Sequence, residues 1–318
     1  MFPVLATQGT DCSVLYKNTK KVLVFNTFYT FPIGGDLYLK TAIIDVGGGF
    51  RGVFGTGVLD ACLETNIDFD CCIGVSAGSG NLVSYLTKKI KRSYRYYIKY
   101  GLTKENTSIS NFIKTGNYVD LDYVYGTVAK KNGPCPLDYD ALSNSRQKFT
   151  VVATNAVTGE PHYFDKADMS YDNYDILKAS SALPMVCKPY VIDDVAYYDG
   201  GISDPIPFEK AFSYGCDKVV VILTRPKDYL RTPKKDFLPA LAIKNQYPKT
   251  SEALKNRYKT YNRQLEIAKQ YEKEGKLLIV APSYSSGLST FTKNPDKLKQ
   301  LYNEGRNAVG RIINFLND

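Results

Sequence analysis

A serine stands between two glycines in "GVSAG", residues 74–78. Gly74, Ser76 and Gly78 have the G-x-S-x-G spacing of a nucleophile elbow, a tight strand-to-helix turn that exposes the serine oxygen. An apolar run precedes the motif and a helical pattern follows it, so the required strand–turn–helix is expected here. The N-terminus of that helix favours developing negative charge. Short glycine–serine motifs also arise by chance, so it is this context that makes Ser76 a candidate nucleophile.

A serine nucleophile needs a base, and the sequence offers little choice. The chain has one histidine, His162. In α/β-hydrolases the catalytic residues occur along the sequence as serine, then acid, then histidine, and no histidine follows His162 to take the last place. We expect His162 to be an ordinary histidine in a hairpin and the base to be a carboxylate. Asp199 in "YYDGG" is the best candidate, because a β-type run ends there and Gly200 and Gly201 form a turn. A plain Asp-Gly turn is the alternative interpretation.

A glycine-rich loop, "GGGFRGVFGTG", lies earlier in the chain. Gly47, Gly49 and Gly52 fit G-x-G-x-x-G, the phosphate-binding pattern of dinucleotide-binding folds. That use also requires an acidic residue at the carboxyl end of the second strand, whereas Asp68 and Asp70 precede the strand. Glycine lets bare backbone N–H groups approach any negative oxygen, so an oxyanion is the competing ligand. A dinucleotide-binding oxidoreductase is thus one alternative for the whole protein.

Strands alternate with helices along the central part of the sequence, which predicts an α/β fold with a mostly parallel sheet flanked by helices. The predicted strands are "LYLKTAIIDV", "FDCCIGV", "KFTVVATNAVTG", "VAYYDGG" and "DKVVVILTR". Beyond them, "RPKDYLRTPKKDF" is interpreted as a connector, followed by a charged helix, a short strand and a final helix. We predict an N-terminal extension of uncertain order at 1–40, a catalytic domain at 41–225 and a C-terminal helical and αβ accessory region at 226–318.

Charge and composition limit the partners and the compartment. The net charge of +9 favours anionic surfaces, and "KKIKRSYRYYIK", residues 88–99, is a candidate membrane contact with its tyrosines at the interface. A solvated helix face is the alternative, and no nucleic-acid recognition motif is present. The N-terminus lacks a signal-peptide pattern, and the apolar runs are too short for a membrane span. We expect a cytoplasmic protein, peripheral at the membrane, with reduced cysteines, no metal and no cofactor. Its oligomeric state stays open.

Four stretches occur in an order that resembles the patatin-like phospholipases: "DVGGGFRGVFGTGVL", "GVSAGS", "ASSALPMVCKPY" and "DGG". The resemblance covers about residues 41–225, and the C-terminal part is similar to the tail of a bacterial subgroup. It implies a three-layer α/β fold and a Ser-Asp dyad without histidine. Ser76 would be the nucleophile and Asp199 the general base, which agrees with the poor position of His162.

The resemblance also implies a role for the glycine loop. It assigns the oxyanion hole to three backbone N–H groups, those of Gly47, Gly48 and Gly49. Arg51 and Gly52 would support the loop. Many family members have an acidic residue directly before the three glycines, where this chain has Val46, with Asp45 one position earlier. On this basis the loop is interpreted as a binding site for an oxyanion and not for a pyrophosphate.

The implied function is a serine acyl hydrolase that cleaves fatty acyl esters through an acyl-enzyme. The implied substrates are phospholipids or lysophospholipids, without a cofactor. The competing hypotheses are a non-catalytic lipid-binding protein on the same scaffold and the dinucleotide-binding oxidoreductase.

Overall fold

The computed structural model describes residues 39–283 and 289–318, together with the backbone of two strands nearer the N-terminus. These are β1 (Thr19–Val24) and β2 (Thr27–Pro32), which pair antiparallel as a hairpin. The rest of the predicted N-terminal extension lies outside the described residues. The chain divides into two compact units, residues 1–39 and 40–318. Residues on both sides of the predicted boundary at 225 belong to the second unit, and that boundary stays a prediction.

The second unit is built on a mixed sheet of eight strands among the described residues. The strands are β3 (Thr41–Asp45), β4 (Cys71–Val75), β5 (Lys148–Asn155), β6 (Pro161–Asp165), β7 (Tyr190–Ile192), β8 (Val195–Asp199), β9 (Lys218–Ile222) and β10 (Leu277–Val280). Their order is β10-β9-β3-β4-β5-β8-β7, with β6 also paired to β5. The pairings from β10 to β5 are parallel, and those of β6, β7 and β8 are antiparallel.

Helices lie on both faces of this sheet, which confirms the predicted α/β fold with flanking helices. They are α1 (Val53–Glu64), α2 (Ala77–Leu86), α3 (Arg92–Arg95), α4 (Ile109–Thr115), α5 (Tyr139–Ser143), α6 (Asp175–Ser181), α7 (Phe208–Ser213), α8 (Lys234–Ile243), α9 (Pro248–Lys273), α10 (Pro295–Asn307) and α11 (Val309–Asn317). Single 3₁₀ turns follow β3 and β8, at Gly49–Gly52 and Gly200–Ile202. Two π-helical turns lie at Tyr96–Tyr100 and Asp122–Val128.

Alternation of side chains along the strands separates two apolar cores. In β3, Ile43 faces a core that includes side chains of α1, α2 and α10, whereas Ala42 and Ile44 face a core with α7 and α9. Successive residues of a strand point to opposite faces, so each strand serves both layers. The C-terminal strand β10 and helices α9 and α10 therefore complete the same layers as the central elements.

Two local predictions need correction or refinement. The predicted connector, residues 225–237, runs into α8 at Lys234, and this helix continues to Ile243 with Ala240 and Ile243 on its buried face. The prolines and lysines of the connector gave it the composition of a loop. The helical pattern at 77–100 predicts one long helix or two shorter ones, and the structure has the shorter helices: α2 ends at Leu86, and α3 runs into a π-helical turn.

The described helices and cysteines limit two further features. None of the helices in the described part of the chain combines the length and apolar character needed to cross a bilayer. The cysteines within the same residues are buried and free of disulfides.

Candidate active site

Ser76 forms a strained elbow between β4 and α2. Its φ is 56° and its ψ is −134°, a backbone conformation that side-chain-bearing residues rarely adopt. A Cβ on Gly74 would lie 2.4 Å from the Cα of Ser79, and a Cβ on Gly78 would lie 2.1 Å from the carbonyl oxygen of Asp45. Both flanking positions therefore require glycine, and together they let the turn reverse directly into the helix.

The carboxyl ends of β4 and β8 meet head to head along one edge of β5. Val152 of β5 pairs with Val75, the last residue of β4, and the adjacent Ala153 pairs with Asp199, the last residue of β8. Strand β6 occupies the opposite edge of β5 at both positions. Because β4 is parallel to β5 and β8 is antiparallel, their ends face each other. This register brings Ser76 and Asp199 together although 123 positions separate them in the sequence.

Asp199 is buried, and its carboxylate is held by short-range hydrogen bonds. The N–H of Gly201 donates to Asp199 Oδ1 at 2.8 Å. Burial raises the pKa of Asp199, whereas the charge of Arg257 and a side-chain hydrogen bond with Ser76 lower it. A Cβ on Gly200 would lie 2.1 Å from a carbonyl oxygen of β5, so this turn can approach the sheet only with glycine. The strand ends and the Gly201 N–H therefore hold a buried carboxylate next to the Ser76 turn.

The glycine loop has a left-handed backbone at each of its three positions, with φ of 63°, 119° and 59° at Gly47, Gly48 and Gly49. The N–H of Gly47 donates to Asp45 Oδ1 at 2.9 Å, and the hydroxyl of Thr224 donates to the Gly47 carbonyl. Within the described residues, the N–H groups of Gly48 and Gly49 have no hydrogen-bond acceptor. Two adjacent bare donors therefore remain in the loop.

Asp45 and Asn81 anchor this loop, and the sequence analysis did not assign a role to either. Asp45 is fully buried, and burial raises its pKa to about 6 against the opposing effects of its hydrogen bonds. Asn81 donates to Asp45 Oδ2 and to the carbonyl of Gly52, both at 2.9 Å. A carboxylate one position before Val46 thus reaches the loop through the Gly47 N–H. An aspartate at the end of a predicted strand, two positions before the three glycines, was the available sequence signal.

Arg51 is almost fully buried and is held by the C-terminal part of the chain. Its Nη1 donates to the hydroxyl of Thr290 at 2.9 Å, and the Phe50 N–H donates to the Thr290 carbonyl at 3.0 Å. Arg51 Nε has no hydrogen-bond partner among the described residues. Burial, followed by the nearby charge of Arg225, lowers the pKa of Arg51 to about 9. The loop, its arginine and a distant threonine therefore form one packed unit.

Ser180 is a second residue without an assigned role before the structure. The Ser76 N–H donates to Ser180 Oγ at 2.8 Å, and Ser180 Oγ donates to the Val152 carbonyl at 2.6 Å. Ser180 belongs to "ASSALP", the stretch that preceded the "DGG" turn in the sequence comparison with the family. It fixes the elbow to Val152 of β5, next to the β5 residues that pair with β8.

Two cavities of different character meet at Ser76. One, of about 110 Å³, is called the apolar cavity here and has mainly aromatic and aliphatic walls, including Phe50, Tyr96, Tyr97, Leu121, Val124 and Tyr125. The other, of about 330 Å³, is called the cationic cavity and is lined by the glycine loop, Asp199 and five basic side chains, those of Arg51, Arg225, Arg231, Lys235 and Arg257. Ser76 lines both, so a ligand at the serine has one apolar and one polar direction to occupy.

Several side chains of the basic stretch 88–99 point into the protein and not toward the predicted membrane contact. Arg92 is buried and donates to the carbonyls of Cys135 and Pro136, so it is not a surface cation. Tyr96 and Tyr97 line the apolar cavity instead of a membrane interface. The π-helical turn points these rings inward.

The residues behind the competing hypotheses lie away from the serine. His162 is an exposed residue of β6 and pairs with Ala153, as predicted for a hairpin, and it does not line either of the two cavities. Asp70 binds the backbone N–H of Thr41 at the amino end of β3, opposite the glycine loop. Neither residue is placed to act on a ligand of Ser76.

The fold and the site define an α/β protein in which a strained serine elbow faces a buried aspartate and a glycine loop. A family model described as patatin-like phospholipase matches residues 46–212. The chain therefore belongs to the patatin-like phospholipase family, as the sequence motifs predicted, and this membership supports lipid acyl hydrolysis in general terms. A second family model, a domain of unknown function (DUF6363), matches residues 247–318.

Similar proteins carry names that leave their reactions undefined. The uncharacterized protein YjjU of Escherichia coli is 32% identical over 198 residues, covering 61% of this chain and 55% of that protein. The uncharacterized NTE family protein Rv1063c of Mycobacterium tuberculosis is 24% identical over 184 residues, covering 55% of this chain and 46% of that protein. The chain thus matches about half the length of these relatives. The crystal structure of VipD from Legionella pneumophila aligns with a TM-score of 0.44 and 12% identity, over 96% of this chain and 72% of that one.

Proposed function

We propose that this protein is a serine acyl hydrolase that cleaves fatty acyl esters with Ser76 as nucleophile and Asp199 as base. The observation that carries the proposal is the head-to-head meeting of β4 and β8, which brings a strained serine and a buried carboxylate together. Family membership supports the same class of reaction.

The reaction would proceed by two acyl transfers. Asp199 takes the Ser76 proton as the serine oxygen attacks the ester carbonyl, and the tetrahedral intermediate then expels the alcohol, which leaves with that proton. A water molecule then attacks the acyl-enzyme and gives a proton to Asp199. The second tetrahedral intermediate releases the fatty acid as Asp199 returns that proton to the Ser76 oxygen. The raised pKa of Asp199 favours this role, because a base with a pKa nearer the working pH accepts the proton more readily.

The oxyanion would be stabilised by backbone donors of the glycine loop. Of the three glycines in the sequence-based hypothesis, Gly47 already donates to Asp45, so the proposal narrows the donors to Gly48 and Gly49. Fixed donors of this kind lower the barrier because they need no reorganisation when charge develops. Asp45 and Asn81 would act as positioning residues for the loop.

The two cavities support a lipid ester as substrate. The acyl chain would enter the apolar cavity, where Tyr97, Val124 and their neighbours would replace water around its carbonyl end. The alcohol portion would then extend into the cationic cavity. Phospholipids and lysophospholipids combine an acyl chain with a polar head in this way.

Peripheral contact with an anionic membrane remains part of the proposal, on fewer residues than the sequence indicated. Arg92 is the buried one among the six basic residues of this stretch, and exposed Ile90 lies beside the others. The exposed cations are Lys88, Lys89, Lys91, Arg95 and Lys99. Each exposed cation near an anionic bilayer contributes on the order of 1 kcal/mol to its binding.

Fatty acid release from a panel of long-chain esters tests the proposal, with Ser76→Ala as the inactive variant and Ser84→Ala, on the helix that follows Ser76 and outside both cavity walls, as the control. We expect turnover by the wild type and Ser84→Ala, and loss of turnover in Ser76→Ala. Lipid binding by folded wild type without serine-dependent release would instead favour the non-catalytic lipid-binding protein. Copurified NAD or FAD, with no ester turnover, would favour the oxidoreductase.

A further inference from the structure

We propose that the cationic cavity is a head-group site that binds a phosphate-type anion on the alcohol side of the scissile ester. This inference rests on the proposed hydrolase function for its link to catalysis. It assigns the preferred substrates to anionic acyl lipids in which a phosphate lies within a few bonds of the ester.

The charge balance of the cavity wall favours an anion. Its basic side chains are Arg51, Arg225, Arg231, Lys235 and Arg257, and its carboxylates are Asp199 and Asp236. Field lines from a cluster of one sign concentrate in a concave, poorly solvated site, which raises the local concentration of a ligand of opposite charge.

One carboxylate of the wall is already shared between two arginines. Arg231 donates through Nε and Nη2 to Asp236 at 2.9 Å and 2.8 Å, and Arg257 Nη1 lies 3.6 Å from the same side chain. Neither Arg51 nor Arg225 forms an ion pair within the described residues. Two guanidinium groups are therefore left to meet a charge that the wall does not supply.

Arg51 is the clearest case of a buried cation without a counter-charge among the described residues. The side chain is more than nine-tenths buried and lines the cavity, yet its Nε has no hydrogen-bond partner among the described residues. Burial of an uncompensated charge is costly, and such groups in proteins are normally paired. A phosphate oxygen in the cavity would supply the missing acceptor and the missing charge together.

Arg225 is held in place while its donors remain available. Its guanidinium carbon lies 4.3 Å from the centre of the Tyr229 ring, a cation–π contact. The five N–H donors of arginine match phosphate geometry. Among the described residues no acceptor takes a hydrogen bond from Arg225, so the ring contact holds the side chain while its donors stay available to an anion.

The position of the cavity defines what part of a substrate would carry the phosphate. The same wall contains Gly48, Gly49 and Asp199, which surround the reacting carbonyl in the proposed mechanism. The acyl chain occupies the opposite, apolar side of Ser76. A phosphate in the cationic cavity therefore belongs to the leaving alcohol, as in a glycerol phosphate ester.

The test compares two esters with the same acyl chain, 1-oleoylglycerol 3-phosphate and 1-oleoylglycerol, presented in neutral detergent micelles. We expect the wild type to show a ratio of kcat/KM that favours the phosphate ester by about tenfold or more. Arg225→Gln should lower that ratio about tenfold, and Arg225→Lys should keep part of it. Arg146→Gln removes an exposed arginine outside the cavity wall and should leave the ratio unchanged. A ratio near one in the wild type, or an unchanged ratio in Arg225→Gln, would overturn the inference.

A binding arm separates this inference from the hydrolase proposal. Calorimetric titration of Ser76→Ala with glycerol 3-phosphate should show binding that is lost when Arg225→Gln is added. That result supports the head-group site even where no ester is cleaved, whereas serine-dependent turnover without phosphate preference or binding refutes the site alone. If inorganic phosphate binds tightly and glycerol 3-phosphate does not compete, the cavity takes free phosphate and the head-group assignment is wrong.

Discussion

The family-matched part of the chain and its C-terminal part contribute different groups to the same site. Residues 46–212 contain Ser76, Asp199 and the glycine loop, whereas Arg225, Arg231, Lys235 and Arg257 lie beyond that match. The reacting groups depend on tight turns with little freedom to vary, as the close approaches at the glycines show. Four of the five basic side chains of the cationic cavity come from α8, α9 and the segment before them, and the fifth, Arg51, comes from the glycine loop. In the proposed function, the reacting groups thus belong to one segment, and most of the charge around the alcohol portion belongs to another.

The largest effect is expected within the family-matched part, at Asp199. Asp199→Asn keeps the size of the side chain and an acceptor for the Gly201 N–H, but the amide cannot take a proton from Ser76. We expect kcat for fatty acyl esters to fall about 10²–10⁴-fold. The fall in kcat is measured from initial rates, and circular dichroism checks that the variant is folded. A rate equal to that of the wild type would remove Asp199 from the mechanism.

A smaller loss is expected when the glycine loop is displaced. In Gly48→Ala the new Cβ would lie 2.7 Å from Thr224 Oγ1 and 2.9 Å from Arg51 Nη2, at a φ of 119°. We expect kcat to fall about 10²-fold, because the backbone donors move away from the oxyanion. Gly310→Ala is the matched control, since nothing lies within 4 Å of its Cβ position. Equal kinetics for the two variants would argue against an oxyanion role for the loop.

Arg257 links the C-terminal part of the chain to the proposed base, Asp199. Its Nε donates to the Gly201 carbonyl, and its charge lowers the pKa of Asp199. Arg257→Gln should therefore raise that pKa further. Since the base must be ionised, the pH below which activity is lost should move upward, and the rate on the acidic side of the profile should fall.

The pH dependence of kcat/KM measures this shift, with Arg263→Gln on the same helix as control. The Arg263 side chain is 58% exposed and is paired only weakly with Glu209 among the described residues. A reduced rate without a shift of the acidic limb would assign Arg257 a structural role alone.

The smallest effect concerns the packing of α10 on α1. Tyr302 donates to Asp60 Oδ2 at 2.8 Å, and burial raises the pKa of Asp60 to about 6 despite this hydrogen bond. A raised folded-state pKa means that ionised Asp60 lowers stability as pH rises through about 6. Tyr302→Phe should cost about 1–3 kcal/mol above that pH and less below it, where Asp60 is protonated.

Urea unfolding at about pH 5 and about pH 8 tests this dependence. Tyr258→Phe is the control, because the Tyr258 hydroxyl forms no hydrogen bond among the described residues. A cost for Tyr302→Phe that is equal at both pH values would contradict the assignment of Asp60 as the group that titrates.

The sequence predicted the elements that carry the reacting groups, because their signals are local. Apolar runs that end at glycine mark the turns at Ser76 and Asp199, and the fold class follows from their alternation with helices. The supporting contacts were not predictable in this way. Asn81 reaches Asp45 across 36 positions, Ser180 reaches Ser76 across 104, and these pairs become neighbours only through the sheet register.

Two segments with many charged residues contain side chains that are buried in the structure. Lysines and prolines made the α8 segment resemble a linker, although it contributes Asp236 to an ion-pair network. The charged stretch 88–99 suggested a membrane contact, although its π-helical turn places Tyr96 and Tyr97 in a cavity wall. Local polarity indicates exposure on average, and the direction of a side chain depends on the turn that carries it.

The most direct test of the central claim is labelling with a fluorophosphonate, located by intact-protein and peptide mass. Wild type, Ser76→Ala and Asp199→Asn are compared after folding is checked. The account predicts one adduct on the Ser76 peptide, its absence in Ser76→Ala, and strongly slowed labelling in Asp199→Asn. An unlabelled wild type that is correctly folded, or equally fast labelling of Asp199→Asn, would contradict a serine activated by this aspartate.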